Sequence, residues 1–162
     1  MWLTHTALAL VVASACNGGS QATPTVQRDA GGDMSTAPSA LTIDVATDQP
    51  TVGPTGRLQI RVTITNTSRT TASLAFTTGC QTDYEILDAS GAVIGSSLQM
   101  CTEALTQRNL AAGASFTDTH VWIRSMAGQP KLPAGTVIRL RGILLTQGAA
   151  ARSRNTVTVT LE

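Results

Sequence analysis

Across residues 57–65 the chain alternates without a break. Leu58, Ile60, Val62 and Ile64 fall on one side of an extended backbone, and Arg57, Gln59, Arg61, Thr63 and Thr65 fall on the other. Successive side chains of a β-strand point to opposite faces, so this pattern calls for a sheet with one apolar and one wetted face. A helix would scatter the same residues around its circumference. An antiparallel sheet accepts that asymmetry, and its apolar face then has to be covered by a second layer.

The same period returns along the chain. Leu41, Ile43 and Val45 alternate with Thr42, Asp44 and Ala46, ahead of the turn-rich residues 48–54. Asn66-Thr67-Ser68 ends the long strand; it matches a glycosylation acceptor pattern but is read here as a turn. Leu74 and Phe76 anchor another strand, Tyr84 and Ile86 the next, and Asp88-Ala89-Ser90-Gly91 turns the chain into Ala92-Val93-Ile94. Residues 102–110 stay open, since Glu103-Ala104-Leu105 can begin a helical turn. Gly113 and Gly135 close turns before residues 115–123 and 137–145, and Val157, Val159 and Leu161 alternate with threonines. Eight or nine strands separated by turn residues, with no convincing helix, predict an all-β, immunoglobulin-like antiparallel β-sandwich over residues 40–162.

The start of the chain is of another kind. A short apolar run over residues 7–12 ends in Ala13-Ser14-Ala15-Cys16-Asn17. It resembles a bacterial lipoprotein signal with its lipobox, which implies removal of residues 1–15 and a lipid on Cys16. The alternative is a plain secretory peptide cleaved after Ala15. The run falls short of the roughly 20 apolar residues that span a bilayer. Residues 16–39 follow, rich in Gly, Pro, Ser and Thr, with Val26 and Met34 as the only large apolar side chains. Such a stretch is a flexible linker with a reach of about 25 Å. The expected address is the bacterial cell envelope, either the outer membrane or the extracytoplasmic face of the cytoplasmic membrane.

With Cys16 assigned to the lipid, Cys80 and Cys101 remain, and export lets them form a disulfide worth about 3 kcal/mol in the chain-entropy model. A redox-catalytic pair would want the close spacing of C-x-x-C. The net charge of +1, with 13% charged residues, leaves no field to attract nucleic acid.

Catalytic chemistry is nearly absent from the sequence. His120 is the one histidine outside the expected signal, in a strand pattern with Phe116, Asp118 and Trp122. No G-x-S-x-G elbow, phosphate loop or His/Cys cluster accompanies it. Asp83, Glu85 and Asp88 recur around one hairpin but lack a calcium-loop spacing. The chain is expected to be no enzyme and to need no metal or cofactor.

The order of these pieces is similar to that of the BsuPI family, named for an intracellular proteinase inhibitor. The residues carrying the resemblance are Val62-Thr63-Ile64-Thr65-Asn66-Thr67-Ser68, Phe76-Thr77-Thr78-Gly79-Cys80 and Asp83-Tyr84-Glu85-Ile86-Leu87-Asp88 with Gly91. Leu110-Ala111-Ala112-Gly113-Ala114-Ser115, Trp122 and Leu132-Pro133-Ala134-Gly135-Thr136 follow in the same order. Val137 stands where the family usually has Tyr, and the Trp expected after the Gly91 turn is missing. The resemblance implies an immunoglobulin-like sandwich and a protease as partner.

Two functions follow. In one, the domain inhibits a protease through residues 95–100, where Leu98 or Met100 fills an apolar pocket; the competing reading makes both side chains core residues of an edge strand. In the other, the domain is a non-inhibitory interaction module of the envelope, held to the membrane by Cys16.

Overall fold

A computed structural model describes residues 40–97 and 99–162. The expected signal, Cys16 and the linker lie outside the described residues, as does Leu98. The described residues form eleven strands: β1 (Leu41–Thr47), β2 (Thr51–Val52), β3 (Arg57–Asn66), β4 (Ala72–Phe76), β5 (Thr82–Leu87), β6 (Val93–Ser96), β7 (Thr106–Leu110), β8 (Ser115–Ile123), β9 (Val137–Thr146), β10 (Ala149–Arg152) and β11 (Val157–Leu161).

Three sheets result. One orders its strands β1-β3-β8, the second β2-β11-β9-β5-β6 with β10 also on β9, and the third is the β4-β7 pair. All pairings are antiparallel except the short β2 on β11. The described residues form an all-β sandwich of immunoglobulin-like type, as the alternation requires.

The alternation of β3 also places the core. Leu58, Ile60, Val62 and Ile64 are fully buried, and Ile138, Leu140 and Leu144 of β9 and Tyr84 and Ile86 of β5 join the same cluster. At Gly142 the layers are in close contact: a Cβ there would stand 3.1 Å from Val62 Cγ1 and 3.5 Å from Val45 Cβ. Trp122 of β8 is buried, and its indole Nε1 donates to Gln129 Oε1 at 3.0 Å. On the outer face of the β1-β3-β8 sheet, hydroxyl pairs Thr63–Thr117 and Thr65–Ser115 sit 2.8 Å apart.

Asn66 does more than turn the chain. It is fully buried, and its Nδ2 donates to the carbonyls of Thr70, Leu110 and Ala111, while its Oδ1 accepts from the backbone N–H and hydroxyl of Ser68. The side chain thereby satisfies backbone groups where the end of β3 meets the turn before β4 and the end of β7.

The strand count exceeds eight or nine because three strands lack the period-two signal. β2 is two residues long and sits between Pro50 and Pro54. β10 reads Ala-Ala-Ala-Arg and pairs with the Ile143–Thr146 end of β9, and Ser153 continues the attachment to β9: its N–H donates to the Gly142 carbonyl at 2.8 Å and its hydroxyl accepts from Gly142 N–H at 3.1 Å. β7 occupies Thr106–Leu110, so the open segment ends as a strand, and residues 102–105 before it form no helix.

Candidate functional site

The disulfide expected from the sequence is present: Cys80 and Cys101 are bonded, with their Cα atoms 5.4 Å apart. It joins the turn before β5 to the connection between β6 and β7. Among its described residues that connection contains neither helix nor strand, and residues 99–105 are exposed throughout.

Hydrogen bonds brace it from below. Ser97 N–H donates to the Tyr84 carbonyl at 3.3 Å, and Gln99 Nε2 donates to the Thr82 carbonyl at 2.9 Å. Gly79 N–H donates to the Thr102 carbonyl at 2.9 Å, and Ala104 N–H donates to the same oxygen at 2.9 Å. Gly79 has no room for a side chain, since an added Cβ would collide with Thr102 Oγ1.

Met100 stands at the tip, 99% exposed, and Leu105 follows at 80%. The edge-strand reading of Met100 is therefore overturned. β6 stops at Ser96, and Met100 lies beyond it, next to Cys101, in the exposed stretch 99–105. The structure thus places Met100 and the Cys80–Cys101 bond in one protruding loop.

Beneath the loop lies a small polar knot between the sheets. Thr82, which is buried, presents Oγ1 at 2.9 Å from both Asp118 Oδ2 and His120 Nε2. The one hydroxyl proton goes to the carboxylate, which assigns His120 as the donor of Nε2–H to Thr82 Oγ1. Burial holds His120 below its ordinary pKa, against the opposing charges of Asp83 and Asp118. The His120 ring packs 5.7 Å from that of Tyr84, whose hydroxyl is pushed well above its usual range by burial and by Asp83. A polar groove of about 360 Å³ opens between this knot and the loop, with Gln99, Arg108, Asp118 and His120 among its walls.

This geometry argues for support rather than catalysis. The middle member is a threonine whose hydroxyl is used up by its two neighbours, and both polar side chains come from β8, an edge strand. Inward-pointing charged side chains are one way an edge strand avoids pairing with another chain. The three acids of the hairpin also part company. Asp88 accepts from the Ser90 hydroxyl and Ala92 N–H inside its turn, bonds that hold its carboxyl below the usual range. Glu85 faces the other side of the sheet, only 6% exposed, where Arg141 Nε reaches it at 2.8 Å and Arg152 Nη2 at 3.0 Å. Burial works against its charge, yet the two guanidiniums together hold its pKa below the ordinary value. Among the described residues no group of three His, Cys, Asp or Glu side chains is placed to hold a metal ion.

Sequence reasoning missed Thr82, Glu85 as an ion-pair centre, and the supporting role of Gln99. The available signal for Glu85 was its place in a buried strand, where a lone acid calls for a cation.

No curated protein matches the chain. Among solved structures, an alkylpurine DNA glycosylase of Pseudomonas fluorescens is similar at 16% identity and a TM-score of 0.48, over 76% of this chain and 30% of that one. A β-glucosidase of Erythrobacter marinus aligns at 12% identity and 0.44, over 75% of this chain and 15% of that one. A CARDB domain from Pyrococcus furiosus aligns at 12% identity and 0.40, over 75% and 94%. This chain thus spans less than a third of each of the two enzymes. At these TM-scores the likenesses carry nothing further. The family comparison is different in weight: the model for BsuPI, described as intracellular proteinase inhibitor, matches residues 42–141, and the chain belongs to that family.

Proposed function

We propose that this chain is a lipid-anchored envelope protein whose sandwich domain inhibits an extracytoplasmic protease through residues 99–105. The observation that carries the reading is Met100, 99% exposed at the tip of a loop fixed by the Cys80–Cys101 bond. A large apolar side chain held out in water gains free energy by entering an apolar pocket. A loop already fixed in place loses little conformational entropy when it binds, which is the main cost of such an association. The partner is therefore a protease with an apolar primary pocket. Family membership supports a protease as partner. The domain itself carries out no catalysis on this reading.

The anchor rests on residues 1–39: the apolar run, Cys16 after small residues, and the polar linker. A lipidated Cys16 and a flexible stalk would hold the domain near the membrane and free to meet its partner. Mass spectrometry of membrane-extracted protein should find acyl chains on Cys16, and Cys16→Ser should move the protein to the soluble fraction.

Inhibition is tested by titrating subtilisin-like and trypsin-like proteases with the oxidised chain. Stoichiometric loss of activity against an enzyme with an apolar pocket, abolished by Met100→Asp, supports the proposal. Full activity at high micromolar chain overturns it for those enzymes and favours a non-inhibitory interaction module.

A further inference from the structure

We infer that the Cys80–Cys101 bond is a redox control on the loop, one that frees the loop when reduced and leaves the sandwich folded. This rests on the inhibitory reading for its consequence, but the conformational step stands by itself. Three observations carry it.

The bond is within reach of a reductant. Cys101 is exposed and Cys80 is only half-buried, so a thiol reaches the bond from solvent.

Residues 99–105 also add nothing to the core. Residues 99–105 are all exposed, and the buried apolar cluster is assembled from strands β1 to β5, β7 to β9 and β11. Each strand is held by ladder bonds that do not pass through the disulfide.

What remains after reduction is weak. The bonds Gln99 Nε2 to the Thr82 carbonyl, Gly79 N–H to the Thr102 carbonyl and Ser97 N–H to the Tyr84 carbonyl are single neutral hydrogen bonds, and that of Gln99 is only part-buried. Water competes with such bonds, and their net contribution is small. The Cys80–Cys101 bond instead holds residue 101 covalently to residue 80, a restraint for which water does not compete.

The chemistry balances with a dithiol as co-reactant. One thiolate of the dithiol attacks Cys101 Sγ, the Cys80–Cys101 bond breaks, and Cys80 leaves as a thiolate that takes up a proton. The second thiol of the dithiol then attacks the mixed disulfide and releases Cys101, which is protonated in turn. Two electrons pass to the protein, and the dithiol ends as its own disulfide. Re-oxidation reverses the sequence and restores the presented Met100.

The test compares three forms of the full chain: oxidised, reduced with dithiothreitol and capped with iodoacetamide, and Cys80→Ser/Cys101→Ser. Circular dichroism reports the fold, limited proteolysis with mass spectrometry reports cleavage within residues 97–105, and protease titration reports inhibition. The expected result is an unchanged far-ultraviolet spectrum and cooperative melting in all three. Loop cleavage should be at least about tenfold faster, and inhibition at least about tenfold weaker, in the two forms lacking the bond. Equal cleavage rates in all forms overturn the inference, as does loss of cooperative melting in both forms lacking the bond. If the oxidised chain inhibits nothing, the functional reading fails, and the cleavage rates still decide whether the bond controls the loop.

Discussion

Thr82 and Gln99 are joined by a 2.9 Å hydrogen bond from Gln99 Nε2 to the Thr82 carbonyl, one residue away from the exposed Met100. Thr82 in turn is pinned by Asp118 and His120 from the opposite sheet. The loop is thereby footed on a residue that both layers of the sandwich hold still.

Gln99→Leu should therefore loosen the loop without harming the fold. Losing one partly exposed bond costs about 1 kcal/mol. Inhibition should weaken by about fivefold, and amide exchange in residues 99–105 should rise, while the melting temperature moves by no more than a few degrees. A large fall in melting temperature would mean that the loop is part of the core.

Glu85 predicts an acid limb of stability. Its pKa is lower in the folded chain than its ordinary value of 4.5, so its ion pairs stabilise the fold fully above about that pH. The contribution is lost as pH falls through the lower, folded value. Glu85→Gln should lower stability at pH 7 by about 1–3 kcal/mol, a modest figure because Arg141 and Arg152 keep access to water. Chemical denaturation across pH 3–7 should show a shallower acid limb in the variant.

His120 predicts a second limb at higher pH. Its folded pKa lies below its ordinary value of 6.5, because burial disfavours the imidazolium more than Asp83 and Asp118 favour it. The neutral ring stabilises the fold fully above about pH 6.5, and this contribution declines as pH falls towards the folded value. His120→Gln should flatten the dependence of unfolding free energy between pH 7 and 5 and leave the limb due to Glu85 in place.

Gly142 predicts a packing limit. It has no positive φ to explain it, and the close approach of Val62 and Val45 does. Gly142→Val should destabilise the domain by about 1–3 kcal/mol, by forcing the layers apart. Gly113→Ala, at φ 72° but with open space around it, should cost about 1 kcal/mol through backbone strain alone. Thermal melts of the two variants separate crowding between the sheets from strain in a turn.

The alternating residues of β3, β1 and β11 determine strand, face and burial by themselves, because a side-chain period of two leaves one arrangement that hides Leu58, Ile60, Val62 and Ile64. The pairing of Cys80 with Cys101 was readable once Cys16 was set aside, and the order of turns was enough to suggest the family. The rest depended on contacts between residues far apart in the chain. Ala149–Arg152 is a strand because the edge of β9 is free to take it, not because of its own pattern. Thr82 meets Asp118 and His120 across 36 and 38 positions, and Glu85 finds Arg141 and Arg152 across 56 and 67. Met100 could as well have been a core residue by its chemistry. Only its place beyond the end of β6 at Ser96, next to Cys101 in the exposed stretch 99–105, leaves it outside, since hydropathy tells what a side chain prefers and the folded backbone decides what it can reach.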